Sequence, residues 1–335
     1  MKERLVIIDF FKGFSITMIV LMHLLQLFIA KEINIPKFLM TASSFAGAGV
    51  HLFLVCSGFG LYLSYSRRPI SFLTFLNKKF TKIYIPYAII ILISALFPLM
   101  YLHQDKMNAI LSHLLLYKMF SPNLIGSFGV QFWFISTIIQ MYLIFYPLIF
   151  VKNKFKSTNL FFICSLIISI CFWILLIFIG KSDDRVWTSF FLNYLWEFVL
   201  GIIIAEQFSK TKTIFLLNMK IYKIVGIFLV SFLIYSFLSL KGGALKTFND
   251  PFSMISFLFL TTIIFRLGIS VINKTFNNIS TFSYELYLVH ILVLTLIFNY
   301  VNVNFFMKSL FSLLICFAIA KFYNVILVNT IYKMI

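Results

Sequence analysis

The chain is poor in charge. Asp, Glu, Lys and Arg make up 11% of its 335 residues, where a soluble globular domain carries roughly 25%. That is under half of what two soluble cores would need for a coat. Acidic residues are the scarcest, 10 against 28 Lys and Arg. The four cysteines, Cys56, Cys164, Cys171 and Cys316, form no CxxC pair and all lie inside apolar runs. Such placement speaks against a disulfide framework or a cysteine metal site and reads as small apolar side chains. No repeat of 20 to 50 residues is present, and no cluster of His, Cys, Asp and Glu has metal-ligand spacing.

Hydrocarbon is abundant: 61% of residues are apolar and the mean hydropathy is +1.01. The chain therefore reads as an all-α, polytopic membrane bundle. At about 20 residues per crossing, ten helices use about 200 residues and leave too few for a large soluble domain. A single transmembrane domain over 1–335 is expected. A net charge of +18 in a soluble protein would point to nucleic acid; here it points to topology and to anionic lipid headgroups, and no nucleic-acid partner is expected. Met1-Lys2-Glu3-Arg4 before an apolar stretch has the look of a signal peptide. The stretch runs to about Ala30 without an A-x-A site, so an uncleaved first span is expected.

Hydropathy places spans near 5–30, 45–65, 83–102, 132–151, 160–179, 190–207, 221–240, 254–272, 282–300 and 306–331. Alternate loops and the two ends then hold seventeen Lys and Arg, among them Arg67, Lys79, Lys154 and Lys212, against nine in the opposite loops, which also carry Glu32, Asp105, Asp183, Asp184 and Asp250. The positive-inside rule puts both termini in the cytoplasm. The longest outer connection is 103–131. Its segment 108–120 mixes Leu111, Leu114, Leu115 and Phe120 with Ser112, His113 and Lys118, a pattern for a short helix at the membrane interface.

Ionisable side chains inside spans are costly and mark function. The first span carries Asp9, Lys12, Ser15, His23 and Gln26. At about 100° per residue all five fall on one helix face, and Lys12 and His23 stand about 16 Å apart along the axis. Such a stripe suits a lined passage; the structural alternative is an Asp9–Lys12 pair with His23 hydrogen-bonded to a neighbouring helix. His51 sits near the outer end of the second span, at a depth expected to be similar to that of His23, and is followed by Ser57, Gly58 and Gly60. Lys78, Lys79 and Lys82 precede Pro86 at the cytoplasmic mouth of the third span. Lys79 and Lys82, at i and i+3, are expected to face one way, toward a polyanion such as the phosphates of a nucleotide cofactor or toward lipid headgroups. Ser283, Tyr287 and His290 share a face of the ninth span, with a structural and a functional reading equally open. Glu197 in the sixth span and Lys321 in the tenth are costly too, although Lys321 can snorkel to the interface.

These residues assemble into a pattern. Asp9-Phe-Phe-Lys12-Gly13 followed by His23 resembles the first helix of the acyltransferase 3 family of integral membrane acyltransferases, with its D-x-L-R-G and R-x10-H elements. Gly49-Val-His-Leu-Phe-Leu-Val-Cys-Ser57-Gly58-Phe59 is similar to its second-helix motif, and Phe75 through Lys79, Lys82 and Pro86 to its F-x-x-x-R-x-x-R-I-x-P segment. Trp133 through Pro147, Trp196-Glu197-Phe198 to Gly201, and Ser283 through Tyr287 to His290 follow in the family order. There are departures: Lys replaces Arg at 12, 79 and 82, which keeps charge and loses the bidentate fork. His51 replaces the second-helix Asp, and Ser136, Thr137 and Gln140 stand where many members carry carboxylates.

The resemblance implies transfer of an acyl group, most often acetyl, from cytoplasmic acyl-CoA to a hydroxyl of an extracytoplasmic envelope glycan, exopolysaccharide or lipid-linked saccharide, by a multi-pass protein of a bacterial cytoplasmic membrane. It implies acyl-CoA as co-substrate and no metal. Lys78, Lys79 and Lys82 would hold the CoA phosphates, Asp9 would orient Lys12, and His23 would be the general base or, less favoured, a transient acyl carrier. His51, Ser57, Trp133, Glu197, Tyr287 and His290 would line the substrate site. Some members carry an extracytoplasmic hydrolase-like domain; any such partner would here be a separate protein. The rival reading is an exporter of polysaccharide intermediates, which a polar stripe and ten spans would also serve; a sensor or assembly subunit is a third.

Overall fold

A computed structural model describes residues 5–31, 33, 36–101 and 104–334. Among the charges used for the topology, Lys2, Arg4 and Glu32 lie outside the described residues, as does the side chain of Lys37. The described residues contain helices and no strand. The helices of eight or more residues are α1 (Val6–Ala30), α2 (Lys37–Ala46), α3 (Gly49–Arg67), α4 (Phe72–Lys79), α5 (Ile85–Ser94), α6 (Lys106–Leu114), α7 (Trp133–Lys152), α8 (Thr158–Phe178), α9 (Leu195–Thr211), α10 (Ile221–Lys241), α11 (Asp250–Arg266), α12 (Ser270–Ile279), α13 (Ser283–Tyr300) and α14 (Phe305–Asn329).

Nine helices among the described residues are long and apolar enough to cross a membrane. Large apolar side chains stay at the surface: Phe178, Leu240 and Phe306 are 88%, 87% and 72% exposed. In water that surface would be an aggregation patch; against lipid tails it is solvated, which fits an all-α polytopic bundle. Ten spans were expected. The tenth segment, the third in order, is helical from Phe72 to Ser94, but its middle, Phe80–Tyr84, is a π-turn, so α5 alone has ten residues.

The chain divides into two compact units. Unit 1 comprises residues 1–69, 148–183 and 192–281; unit 2 comprises 70–147, 184–191 and 282–335. In unit 1, α3 and α9 approach at backbone distance: a β-carbon on Gly58 would stand 3.0 Å from the Phe198 carbonyl carbon. With only hydrogen in the seam, the two backbones gain dispersion contact that larger side chains would forbid. The aromatic core of this unit is built on α1, where the Phe10 and Phe14 rings meet Phe276 of α12 edge-on at 5.3 and 5.2 Å.

In unit 2, the π-turn has an identifiable cause. Pro86 has no N–H, so the carbonyl of Lys82, four residues earlier, loses its helical donor. Tyrosine hydroxyls from the C-terminal helices gather here: Tyr284 donates to Ile83 at 2.6 Å and Tyr323 to Pro86 at 2.8 Å, and the Tyr332 oxygen stands 3.5 Å from that of Lys82. The connection between α5 and α7 forms α6, where Met107 and Leu111, with Leu115 just past its end, are exposed while Ser112 and His113 are fully buried.

Candidate functional site

The sequence-derived residues fall in both units. Asp9, Lys12, His23, His51, Ser57 and Glu197 belong to unit 1; Lys78, Lys79, Lys82, Trp133, Tyr287 and His290 belong to unit 2.

On α1, His23 is half-buried and its Nδ1 lies 3.0 Å from Gln26 Oε1. An amide oxygen only accepts, so Nδ1 carries the proton in this contact and Nε2 keeps its lone pair. Asp9 and Lys12 are half-buried one turn apart. Ser15 of the same stripe is fully buried, because Gly49 of α3 rests on it: a β-carbon there would stand 3.0 Å from the Ser15 carbonyl oxygen. The stripe therefore does not present one continuous open face.

The Gly49–Ser15 contact also corrects the expected depth of His51. Ser15 is eight residues before His23, about 12 Å of helix rise, and α3 starts beside Ser15. His51, in the first turn of α3, thus lies nearer the level of Lys12 than that of His23. Its Nδ1 is 2.8 Å from Glu197 Oε1, and its Nε2 is 3.7 Å from Asp250 Oδ1. Glu197 is fully buried. The Tyr194 ring centre is 5.8 Å from that of His51. Sequence reasoning flagged His51 and Glu197 separately and placed Asp250 in an outer loop. A charged residue in the first turn of an apolar helix was the signal that could have raised Asp250. Ser57, two turns further along α3, is half-buried.

In unit 2, Lys79 and Lys82 do not face one way. The Lys79 ammonium is 5.7 Å from the centre of the Phe75 ring and 5.3 Å from that of Tyr142; the Lys82 ammonium is 5.7 Å from that of Tyr332. The π-turn between them changes the angle per residue, so i, i+3 no longer means one face. Lys79 lines a mostly apolar pocket of about 170 Å³ together with Leu76, Ile83, Tyr84, Ile139 and Tyr142. Lys78 is exposed. Beside Lys82 stands a residue the sequence reading passed over: Glu285, 2% exposed, accepts a hydrogen bond from the Tyr332 hydroxyl at 2.9 Å. Tyr287 and His290 each bond a backbone carbonyl. The Tyr287 hydroxyl donates to the Gln131 carbonyl at 2.6 Å, and Nδ1 of His290, fully buried, donates to Leu286 at 3.1 Å. The Arg185 guanidinium stacks on Trp133 at 4.8 Å.

The connection between α5 and α7 holds a second polar knot. Lys118 is 3% exposed and donates to the carbonyls of Ser127 at 3.1 Å and Gly129 at 2.8 Å. His113 pairs with the Tyr87 hydroxyl at 2.6 Å and with Ser127 Oγ at 3.0 Å. Burial without a carboxylate partner pushes the Lys118 amine down to about 7. Burial, and then the neighbouring Lys118 charge, hold His113 well below the ordinary imidazole range. No group of three or more potential metal ligands exists among the described residues.

Fold and site together define a multi-pass, all-α membrane protein with polar centres inside its helical units. The family model described as an acyltransferase domain matches residues 5–322, and the chain belongs to that family, acyltransferase 3, as a membrane acyltransferase. No curated protein and no solved structure matches the chain.

Proposed function

We propose that the chain is an O-acyltransferase that moves an acyl group, acetyl first among them, from cytoplasmic acyl-CoA to a hydroxyl of an extracytoplasmic glycan or lipid-linked saccharide. The observation that carries this reading is the state of His23. Its Nδ1 is engaged by Gln26 at 3.0 Å, which leaves Nε2 as an acceptor on a membrane-spanning helix that also carries Lys12.

A hydroxyl is a weak nucleophile until its proton is taken. His23 Nε2 takes that proton as the oxygen bonds to the thioester carbon; the carbon–sulfur bond breaks and CoA leaves as the thiolate, which the imidazolium or solvent reprotonates. Lys78, Lys79 and Lys82 supply ammonium groups for the CoA phosphates, and Asp9 orients Lys12. The thioester is activated enough that this scheme uses no metal.

The test is acetyl transfer from labelled acetyl-CoA by the purified chain, with a His23→Gln variant. Loss of a general base costs about 10² to 10⁴ in rate, so the variant should insert normally and keep under about a hundredth of the turnover. Retention of a tenth or more would remove His23 from the role. Movement of unmodified saccharide across vesicles, without consumption of acetyl-CoA, would favour the exporter reading instead.

A further inference from the structure

Lys82 is exposed, yet its ammonium is already engaged within unit 2. It lies 5.7 Å from the centre of the Tyr332 ring, and the hydroxyl of that ring donates to Glu285 Oε1 at 2.9 Å. Glu285 is buried in the first turn of α13. A helix N-terminus favours a carboxylate there, but does not by itself offset the loss of water around it. Asn324 of α14 gives Glu285 a second side-chain hydrogen bond, and the Lys82 charge is close enough to act on it.

The backbone builds this contact. Helix α14 ends at Asn329, Thr330 leaves the helical path, and a short 3-10 turn follows over Ile331–Met334. The turn lays Tyr332 against both parts of Lys82, its ring near the ammonium and its hydroxyl oxygen 3.5 Å from the Lys82 carbonyl oxygen. The one hydroxyl proton is committed to Glu285. A phenol that donates to a carboxylate has a more negative ring face, which strengthens its hold on a cation. Ring and carboxylate thus act together on one ammonium.

We propose that Glu285 and Tyr332 are positioning residues for the acyl donor: they hold Lys82 before the donor binds, and the CoA phosphates must draw it off. A phosphate that recruits Lys82 competes with the ring face and with the carboxylate. Tyr332 and Asn324 stay with Glu285 when the ammonium leaves, so the buried carboxylate keeps two donors throughout. When CoA departs, the carboxylate and the ring take the ammonium back. The pair therefore weakens donor binding and favours release of CoA.

This inference rests on the acyl-transfer reading, in which Lys82 meets the CoA phosphates, and one experiment separates the two. For the purified chain in nanodiscs, the KM for acetyl-CoA and the Kd of CoA are measured beside the KM for envelope glycan isolated from the producing cells. Glu285→Gln keeps a side-chain oxygen for Tyr332 and removes the charge. It should lower both donor constants by about threefold, the scale of a partly exposed charge pair, and leave the glycan KM unmoved. Tyr332→Leu, which removes the ring, should lower the same two values. Tyr332→Phe, which keeps ring and carboxylate, should not lower them. In a Lys82→Ala background Glu285→Gln should change neither. Should Glu285→Gln or Tyr332→Leu fail to fold, the other decides. Unmoved or raised donor constants in either folded variant, a matching drop in Tyr332→Phe, the same drop without Lys82, or an equal change in the glycan KM would overturn the restraint, while wild-type turnover leaves acyl transfer standing. If the wild-type chain neither binds CoA nor consumes acetyl-CoA, the acyl-transfer reading is lost and this inference with it.

Discussion

Gly201 lies flat against Val55, where a β-carbon would overlap the Val55 carbonyl oxygen. The contact sits in the α3–α9 seam, one helical turn beyond Glu197, so the spacing that lets these helices touch also sets the His51–Glu197 distance. Gly201→Ala should therefore destabilise by about 1 to 3 kcal/mol, the usual cost of overpacking, and lower the thermal midpoint in detergent. Gly60→Ala is the control, since nothing stands within 4 Å of that β-carbon position. Equal midpoints for the two variants would mean that the seam yields freely.

The lysines before Pro86 should act on the donor. Lys79→Ala combined with Lys82→Ala should raise the KM for acyl-CoA by tenfold or more, because a charge-assisted contact to phosphate contributes roughly 1.5 to 3 kcal/mol. Arg at both positions should preserve or improve binding. Since the two ammonium groups lie over different rings, the single variants should be unequal and close to additive. An unchanged KM in the double variant would return both lysines to the lipid-headgroup role.

Lys118 makes stability depend on pH. Its folded-state amine is pushed down to about 7, while an unfolded lysine holds its proton to about 10.4. Between these values the unfolded chain binds more protons, so stability rises with pH across that window. His113, held below the ordinary imidazole range, acts in the same direction at lower pH, up to about 6.5. The rise in thermal midpoint from pH 7 to pH 10 should be larger for the wild-type chain than for Lys118→Met. Parallel curves for the two proteins would contradict a buried amine that lacks a carboxylate partner.

Reporter fusions at Lys154 and Lys212 should read cytoplasmic and at Asp105 outside, following the bias of basic residues. A fusion at Lys79 tests the helical segment 72–94 with its π-turn. If Lys79 and Asp105 report the same side, that segment does not cross.

Membrane character, the helical class and the family were legible in the linear chain. Hydropathy is a property of windows of about 20 residues, and the motifs around Lys12, Lys79 and Glu197 are each contained in a single helix. The contact of His23 with Gln26, one turn away on α1, lies within the same range. Pairings between helices were not legible. His51 and Glu197 are 146 residues apart, and Asp250 joins them because the α3–α9 seam closes at glycine distance and α11 begins beside it. The orientation of Lys79 and Lys82 depended on a proline visible in the sequence, yet the hydroxyls of Tyr284 and Tyr323 that bond carbonyls in and just beyond the π-turn lie 201 and 237 residues away. Periodicity assigns a residue to a face of its own helix; which group meets that face follows from how closely the neighbouring backbones pack.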